Sequence, residues 1–145
     1  MRSLLDVNVL IALLDGAHLH HRICHEWLAG ALTQGWASCP ITQNGCIRIL
    51  SQPAYPGALA AAQVAERLAE ACRAPAHAFW PDDVNPLDTR ALDWRRLLGH
   101  RQLTDAYLLA LAVRHAGRFV TLDSRLDASI VPQGGPEHLV RLLGR

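Results

Sequence analysis

Lysine is absent from the 145-residue chain, and all 14 basic residues are arginine. Mechanisms that need an ε-ammonium group are thereby excluded: P-loop NTPases, phosphate-transfer receivers and Schiff-base enzymes. Apolar runs long enough to span a bilayer are also missing. The opening MRSLLDVNVLIALLD carries two aspartates, which argues against a signal peptide. A cytoplasmic protein that does not engage a membrane is expected. Cys24, Cys39, Cys46 and Cys72 show no CxxC spacing and lie in apolar or helical stretches, so they read as buried thiols rather than disulfide or metal ligands. There is no internal repeat, low-complexity tract or linker. The net charge of +1 gives no bulk signature of nucleic-acid binding.

What is present is one domain's worth of chain, 50% hydrophobic and 19% charged, enough to bury a core. SLLDV, 3 to 7, reads as a buried strand ending in a turn, and NVLIALLD after it has helical spacing. HHRICHEWLAGAL, 20 to 32, places Ile23, Trp27, Leu28 and Leu32 on one helix face. WASCPI is a short strand, with a helix over 42 to 51 and a turn at PAYPG. The alanine-rich stretch 58 to 73 is helical, HAFWP is another strand, and DDVNP is a loop. LTDAYLLALAVRHAG, 103 to 117, is a helix apolar nearly all round, with Gly117 as its cap. RFVTLD, 118 to 123, is a strand, and HLVRLLG is a final amphipathic piece. Strands alternating with helices predict a single α/β domain over 1–145, with a mostly parallel central sheet flanked by helices. The number of strands stays open.

Three aspartates fall where such a sheet binds ligands. Asp6 ends the first expected strand, Asp123 ends the last clear one, and Asp105 lies in the first turn of the most apolar helix. Carboxyl ends of parallel strands and the starts of the following helices share one edge, so all three belong to it. Singly, Asp105 can complement a helix dipole with Thr104 as cap, and Asp6 and Asp123 can serve turns. Together, three like charges in one cleft call for a cation, and oxygen-only ligands favour Mg²⁺ or Mn²⁺. Asp82 and Asp83 can face the same cleft or serve a loop and helix start. His18, His20, His21 and His25 form a second cluster in which His21 and His25 have the spacing of zinc ligands. Without an HExxH motif or a second Cys/His group, these histidines read as cap, surface or packing residues.

LLDVNVLIALLD, PITQNGCIRIL, QLTDAYLLALA and VTLD resemble, in order and spacing, the PIN-domain ribonucleases, and specifically VapC-type toxins of toxin–antitoxin pairs. The resemblance covers nearly the whole chain. It implies a metal-dependent endoribonuclease held inactive by a VapB-type antitoxin, commonly as a homodimer. The family's first, third and fourth acids map onto Asp6, Asp105 and Asp123, which would hold one or two Mg²⁺ or Mn²⁺ ions. Its second acid maps onto Gln43, where this chain departs from the pattern. Asn8, Thr104 and Thr121 fall where the family often has supporting polar groups. In-line attack by an activated water on RNA would leave a 5′-phosphate and a 3′-hydroxyl.

RNA contacts are expected from Arg48, Arg95, Arg96 and Arg101 beside Trp94, unless that run is a solvated face with Trp94 in the core. Two other readings remain. Gln43 favours a catalytically weak pseudo-nuclease that binds RNA or antitoxin. DVNV resembles a degraded aspartate-phosphatase motif, but lacks the second aspartate and the lysine.

Overall fold

Five short apolar segments become strands in the computed structural model, which describes residues 1–144: β1 (Ser3–Leu5), β2 (Trp36–Ser38), β3 (His77–Phe79), β4 (Arg118–Thr121) and β5 (Leu139–Arg141). They form one sheet in the order β3-β2-β1-β4-β5 with every pairing parallel. Helices α1 (Val7–Leu14), α2 (His21–Ala31), α3 (Pro40–Leu50), α4 (Ala61–Cys72) and α5 (Leu103–Arg114) connect them. The α/β expectation with a parallel sheet therefore holds. Arg145, the last residue of the expected 1–145 domain, lies outside the described residues.

Alternation along each strand divides the core into two layers. Leu4, Ala37 and Phe119 pack on one face against α5 and the segments around Leu92, Leu126 and Ile130. Leu5, Trp36 and Val120 pack on the other face against residues of α1, α2, α3 and α4. Residues Ala106 to Ala112 of α5 are all buried, which accounts for its apolar circumference. From β1 the chain steps outward through β2 to β3, then returns to place β4 on the other side of β1. The strand order thus reverses between β1 and β4, and a crevice opens there beyond their carboxyl ends.

Several boundaries differ from the sequence expectation. β1 stops at Leu5, and Asp6 becomes the N-cap of α1, its carboxylate accepting from the Val7 N–H at 2.7 Å. β4 stops at Thr121, leaving Asp123 in the turn beyond it. α3 starts at Pro40 rather than Thr42, because Cys39 caps it and Thr42 bonds back to the Cys39 N–H at 3.0 Å. α2 buries Cys24 and Ala31, with Trp27 and Leu28 packed beside them, while Ile23 and Leu32 stay exposed. The buried stripe keeps Trp27 and Leu28 but runs through Cys24 and Ala31, which complete the i, i+3, i+4, i+7 set of one helix face. The final amphipathic piece supplies the edge strand β5.

α5 ends at Arg114, three residues before Gly117. Ala116 takes the left-handed conformation at φ 53°, with Gly117 N–H bonded to the Ala112 carbonyl at 2.8 Å and Ala116 N–H to Val113 at 3.0 Å. Gly117 is needed for a different reason: a Cβ there would lie 2.6 Å from the Arg2 carbonyl oxygen and 2.7 Å from the Trp80 ring.

Candidate functional site

The crevice between the ends of β1 and β4 is where the chain gathers its least comfortable charges. Asp6 is only 8% exposed. Burial, then the charge of Asp105, push its carboxyl up from 3.8 to about 6. The Thr121 hydroxyl, donating to Asp6 Oδ2 at 2.7 Å, and the Val7 N–H pull in the opposite direction and orient the group. Asn8 ties the far side together: its amide donates to Thr121 Oγ1 at 3.3 Å and accepts from the Leu122 N–H at 3.3 Å.

Asp105 enters from the first turn of α5, half-buried. Burial raises its pKa, against a hydrogen bond of 3.0 Å from the Ser124 hydroxyl to Oδ2. Ser124 is buried and also accepts from the Leu126 N–H at 3.1 Å. Sequence reasoning missed it, although it directly follows Asp123. No arginine or histidine pairs with Asp6 or Asp105 among the described residues. A buried and a half-buried carboxylate without a protein counter-ion, both with raised pKa, fit a divalent cation that takes one or two carboxylates and fills its remaining positions with water and phosphate oxygens.

The remaining expected residues are placed less uniformly. Asp123 is exposed. Among the described residues, no group of three Asp, Glu, His or Cys side chains stands close enough to hold an ion. Gln43 makes no hydrogen bond to either carboxylate among the described residues. Its Nε2 donates to Ser38 Oγ at 2.9 Å, and Ser38 is joined to His77 Nε2 at 2.8 Å and lies 3.8 Å from Cys72 Sγ. That network sits on the α4 side of the sheet, whereas Asp105 belongs to α5 on the other side. The residue of α3 turned toward the start of α1 is Gly45, where a Cβ would lie 2.7 Å from Val7 Cγ2. Thr104 is exposed and caps nothing; Gln102 holds the N-cap position without a side-chain bond.

Arg95 and Arg96 both pair with Asp93, at 2.9 and 3.5 Å. Arg48 and Arg101 are exposed without an ion-pair partner among the described residues. Trp94 packs partly against the core and donates its ring N–H to the Pro86 carbonyl at 2.7 Å, so it anchors its loop and is not a free stacking surface.

The other clusters have structural roles. His21 Nδ1 donates to the Ala12 carbonyl at 2.7 Å and His25 Nε2 to Leu13 at 3.3 Å, closing the last turn of α1 as capping histidines. Asp83 pairs with His115 and Arg114 at 3.0 and 3.8 Å. Asp82 lies beside the Cys39 thiol, with Oδ1 buried and unbonded. All four cysteines are free, three buried and Cys72 half-buried. A cavity of about 230 Å³ lined by Leu14, Asp15, Leu50 and Tyr55 sits at the opposite end of α1 from Asp6.

Comparison with known proteins points the same way as this geometry. The sequence pattern of the PIN domain matches residues 3–129. Ribonuclease VapC44 of Mycobacterium tuberculosis (strain ATCC 25618 / H37Rv) is 49% identical over 142 residues, covering 98% of this chain and 100% of that protein. Ribonuclease VapC39 of the same strain is 43% identical over 134 residues, covering 89% of this chain and 94% of that one. Among solved structures, a chain of VapBC2 from Rickettsia felis, crystallised bound to a DNA fragment from their promoter, matches with a TM-score of 0.64 at 12% identity. That match covers 97% of both chains and is a likeness of fold.

Proposed function

The chain belongs to the PIN-domain family as a VapC-type ribonuclease, and from that premise we propose a toxin that hydrolyses RNA phosphodiester bonds with Mg²⁺ or Mn²⁺ and is restrained by a VapB-type antitoxin. The observation that carries the metal dependence is the Asp6–Asp105 pair: Asp6 buried and pushed up by burial and then by the charge of Asp105, Asp105 half-buried, and neither paired with a protein cation among the described residues. When bound, the divalent ion would supply counter-charge to this pair, acidify a water and polarise the scissile phosphate.

The chain's own residues have separable tasks. Asp6 and Asp105 hold the cation. Thr121 and the Val7 N–H fix the carboxylate of Asp6, and Asn8 holds Thr121 beside the end of β4. Ser124 fixes Asp105. Asp123, exposed just beyond the end of β4, would offer a further carboxylate to the ion or its waters. Arg48 and Arg101 offer phosphate contacts, while Arg95 and Arg96 share the single counter-charge of Asp93. Homodimerisation rests on the resemblance alone, and sedimentation of the antitoxin-free chain tests it.

The decisive experiment is cleavage of structured RNAs by the antitoxin-free chain with Mn²⁺, with Mg²⁺ and with EDTA. Cleavage that needs the ion and leaves 5′-phosphate ends is expected. RNA or antitoxin binding without any metal-dependent cleavage would replace this reading with the pseudo-nuclease. That second reading draws on one observation: among the described residues no three acids stand close enough together to hold an ion, and Gln43 is bonded to Ser38.

A further inference from the structure

The segment after β4 carries Asp123 and Ser124, yet residues 122–127 have no regular secondary structure. Such a stretch needs something to fix it, because irregular backbone at a site retains its conformational freedom unless its polar groups are bonded. One side chain does much of that fixing. Arg141, on the edge strand β5, donates through Nε to the Ser124 carbonyl at 2.6 Å and through Nη2 to the Leu126 carbonyl. The guanidinium is a rigid fork, so two bonds from one planar group set both the position and the orientation of the segment.

Arg141 is well placed for this. It pairs in register with Thr121, the residue whose hydroxyl holds Asp6. It is half-buried, and its charge also favours the ionised form of Asp127. The chain from Arg141 to the site is short: Arg141 holds the Ser124 carbonyl, and the Ser124 hydroxyl holds Asp105. β5 and Arg141 lie beyond residues 3–129, the part matched by the PIN-domain pattern.

We propose that Arg141 is a positioning residue of the nuclease site, which fastens the 122–126 segment so that Ser124 stays on Asp105 and Asp123 stays at the crevice. This rests on the nuclease reading above. Arg141 touches neither substrate nor metal in this role. It acts through the carbonyls of Ser124 and Leu126, and a lysine at 141 would keep the charge and lose the fork.

The test uses the full chain, purified free of antitoxin, as wild type, Arg141→Gln, Arg141→Lys and Val140→Ala. Val140 lies in the same strand but packs on the opposite layer, so its truncation reports simple loosening of β5. Thermal stability, Mn²⁺ titration by calorimetry, cleavage of a pool of structured RNAs against Mn²⁺ concentration, and hydrogen exchange of residues 122–127 are measured. Arg141→Gln is expected to raise the Mn²⁺ midpoint and lower turnover about 10- to 100-fold, as loss of an outer-shell support does, with faster exchange across 122–127. Arg141→Lys should recover part of that loss, and Val140→Ala should lower stability while leaving the Mn²⁺ midpoint in place. An Arg141→Gln protein with the wild-type Mn²⁺ midpoint and turnover overturns the proposal. A wild type that neither binds Mn²⁺ nor cleaves RNA overturns the nuclease reading first, and the positioning role falls with it.

Discussion

The Thr121 hydroxyl donates to Asp6 Oδ2 over 2.7 Å, joining residues 115 positions apart at the ends of β4 and β1. The bond crosses the point where the strand order reverses, so it both closes the crevice wall and aims the carboxylate. Thr121→Val keeps the shape of the side chain and removes the donor. The buried Asp6 carboxylate then loses a partner, and unfolding in urea at pH 7 should show a loss of about 1–3 kcal/mol. Asp6 should also titrate higher than in wild type, because this bond is one of the two that lower its pKa.

Stability of the metal-free protein should depend on pH through Asp6. Its folded pKa is about 6, above the ordinary 3.8, so the folded state binds the proton more tightly than the unfolded one. The resulting stabilisation is fully present below the ordinary value and is lost as pH rises through about 6. The full effect is about 3 kcal/mol, of which roughly 2 kcal/mol is lost between pH 4 and pH 7. Asp105 is raised as well and adds to the same direction. Asp15, Asp88, Asp93 and Asp127 are lowered and act oppositely. The clean measurement is therefore the difference between wild type and Asp6→Asn, by urea midpoint in EDTA at both pH values. Asp6→Asn should gain stability relative to wild type as pH rises, and should lose RNA cleavage by at least about a hundredfold, worth about 3 kcal/mol.

Gln43→Glu should leave the Mn²⁺ midpoint of the antitoxin-free protein unchanged. The side chain at 43 faces Ser38 and His77, on the far side of the sheet from Asp105. A tighter Mn²⁺ midpoint in calorimetry would return residue 43 to the metal shell.

How much of the site the sequence disclosed follows from these cases. Asp6 and Asp105 were readable because parallel strands and the helices after them deliver their ends to one edge, whatever the details. The helix-face assignment of position 43 was not readable. Each helical residue turns the side chain by about 100°, so a two-residue error reverses the face. Gly45, two residues on, is the one turned toward Val7. Thr104 failed as a cap for a related reason: α5 begins one residue before it, at Leu103. Ser124 and Arg141 carried no local signal. Their roles depend on a turn without periodicity and on a three-residue edge strand, too short to announce itself, which finds its place only by pairing with β4. The stripe of α2 was misjudged at its two ends because bulk suggested Ile23 and Leu32, whereas the i, i+3, i+4, i+7 set of one face takes Cys24 and Ala31.

Arg101 and Arg95 should differ in RNA binding although both are exposed. Arg95 is paired with Asp93, and Arg101 has no ion-pair partner among the described residues. Arg101→Ala should weaken RNA binding and reduce the slope of log affinity against log salt by about 0.7, the value for one phosphate contact on a single strand. Arg95→Ala should change that slope by much less. Fluorescence anisotropy at several salt concentrations, with EDTA to prevent cleavage, reads both.

The order of the strands has a consequence during synthesis. β1 emerges from the ribosome well before its neighbour β4, which is not made until residue 118, and β5 with Arg141 follows later still. A nascent chain released as far as α4 contains Asp6 but has neither the Thr121 hydroxyl nor Asp105 to set against it. The crevice cannot form piecemeal, since Asp6 and Thr121 are made 115 residues apart. A ribosome translating this message therefore carries no assembled crevice at its exit tunnel until β4 has emerged.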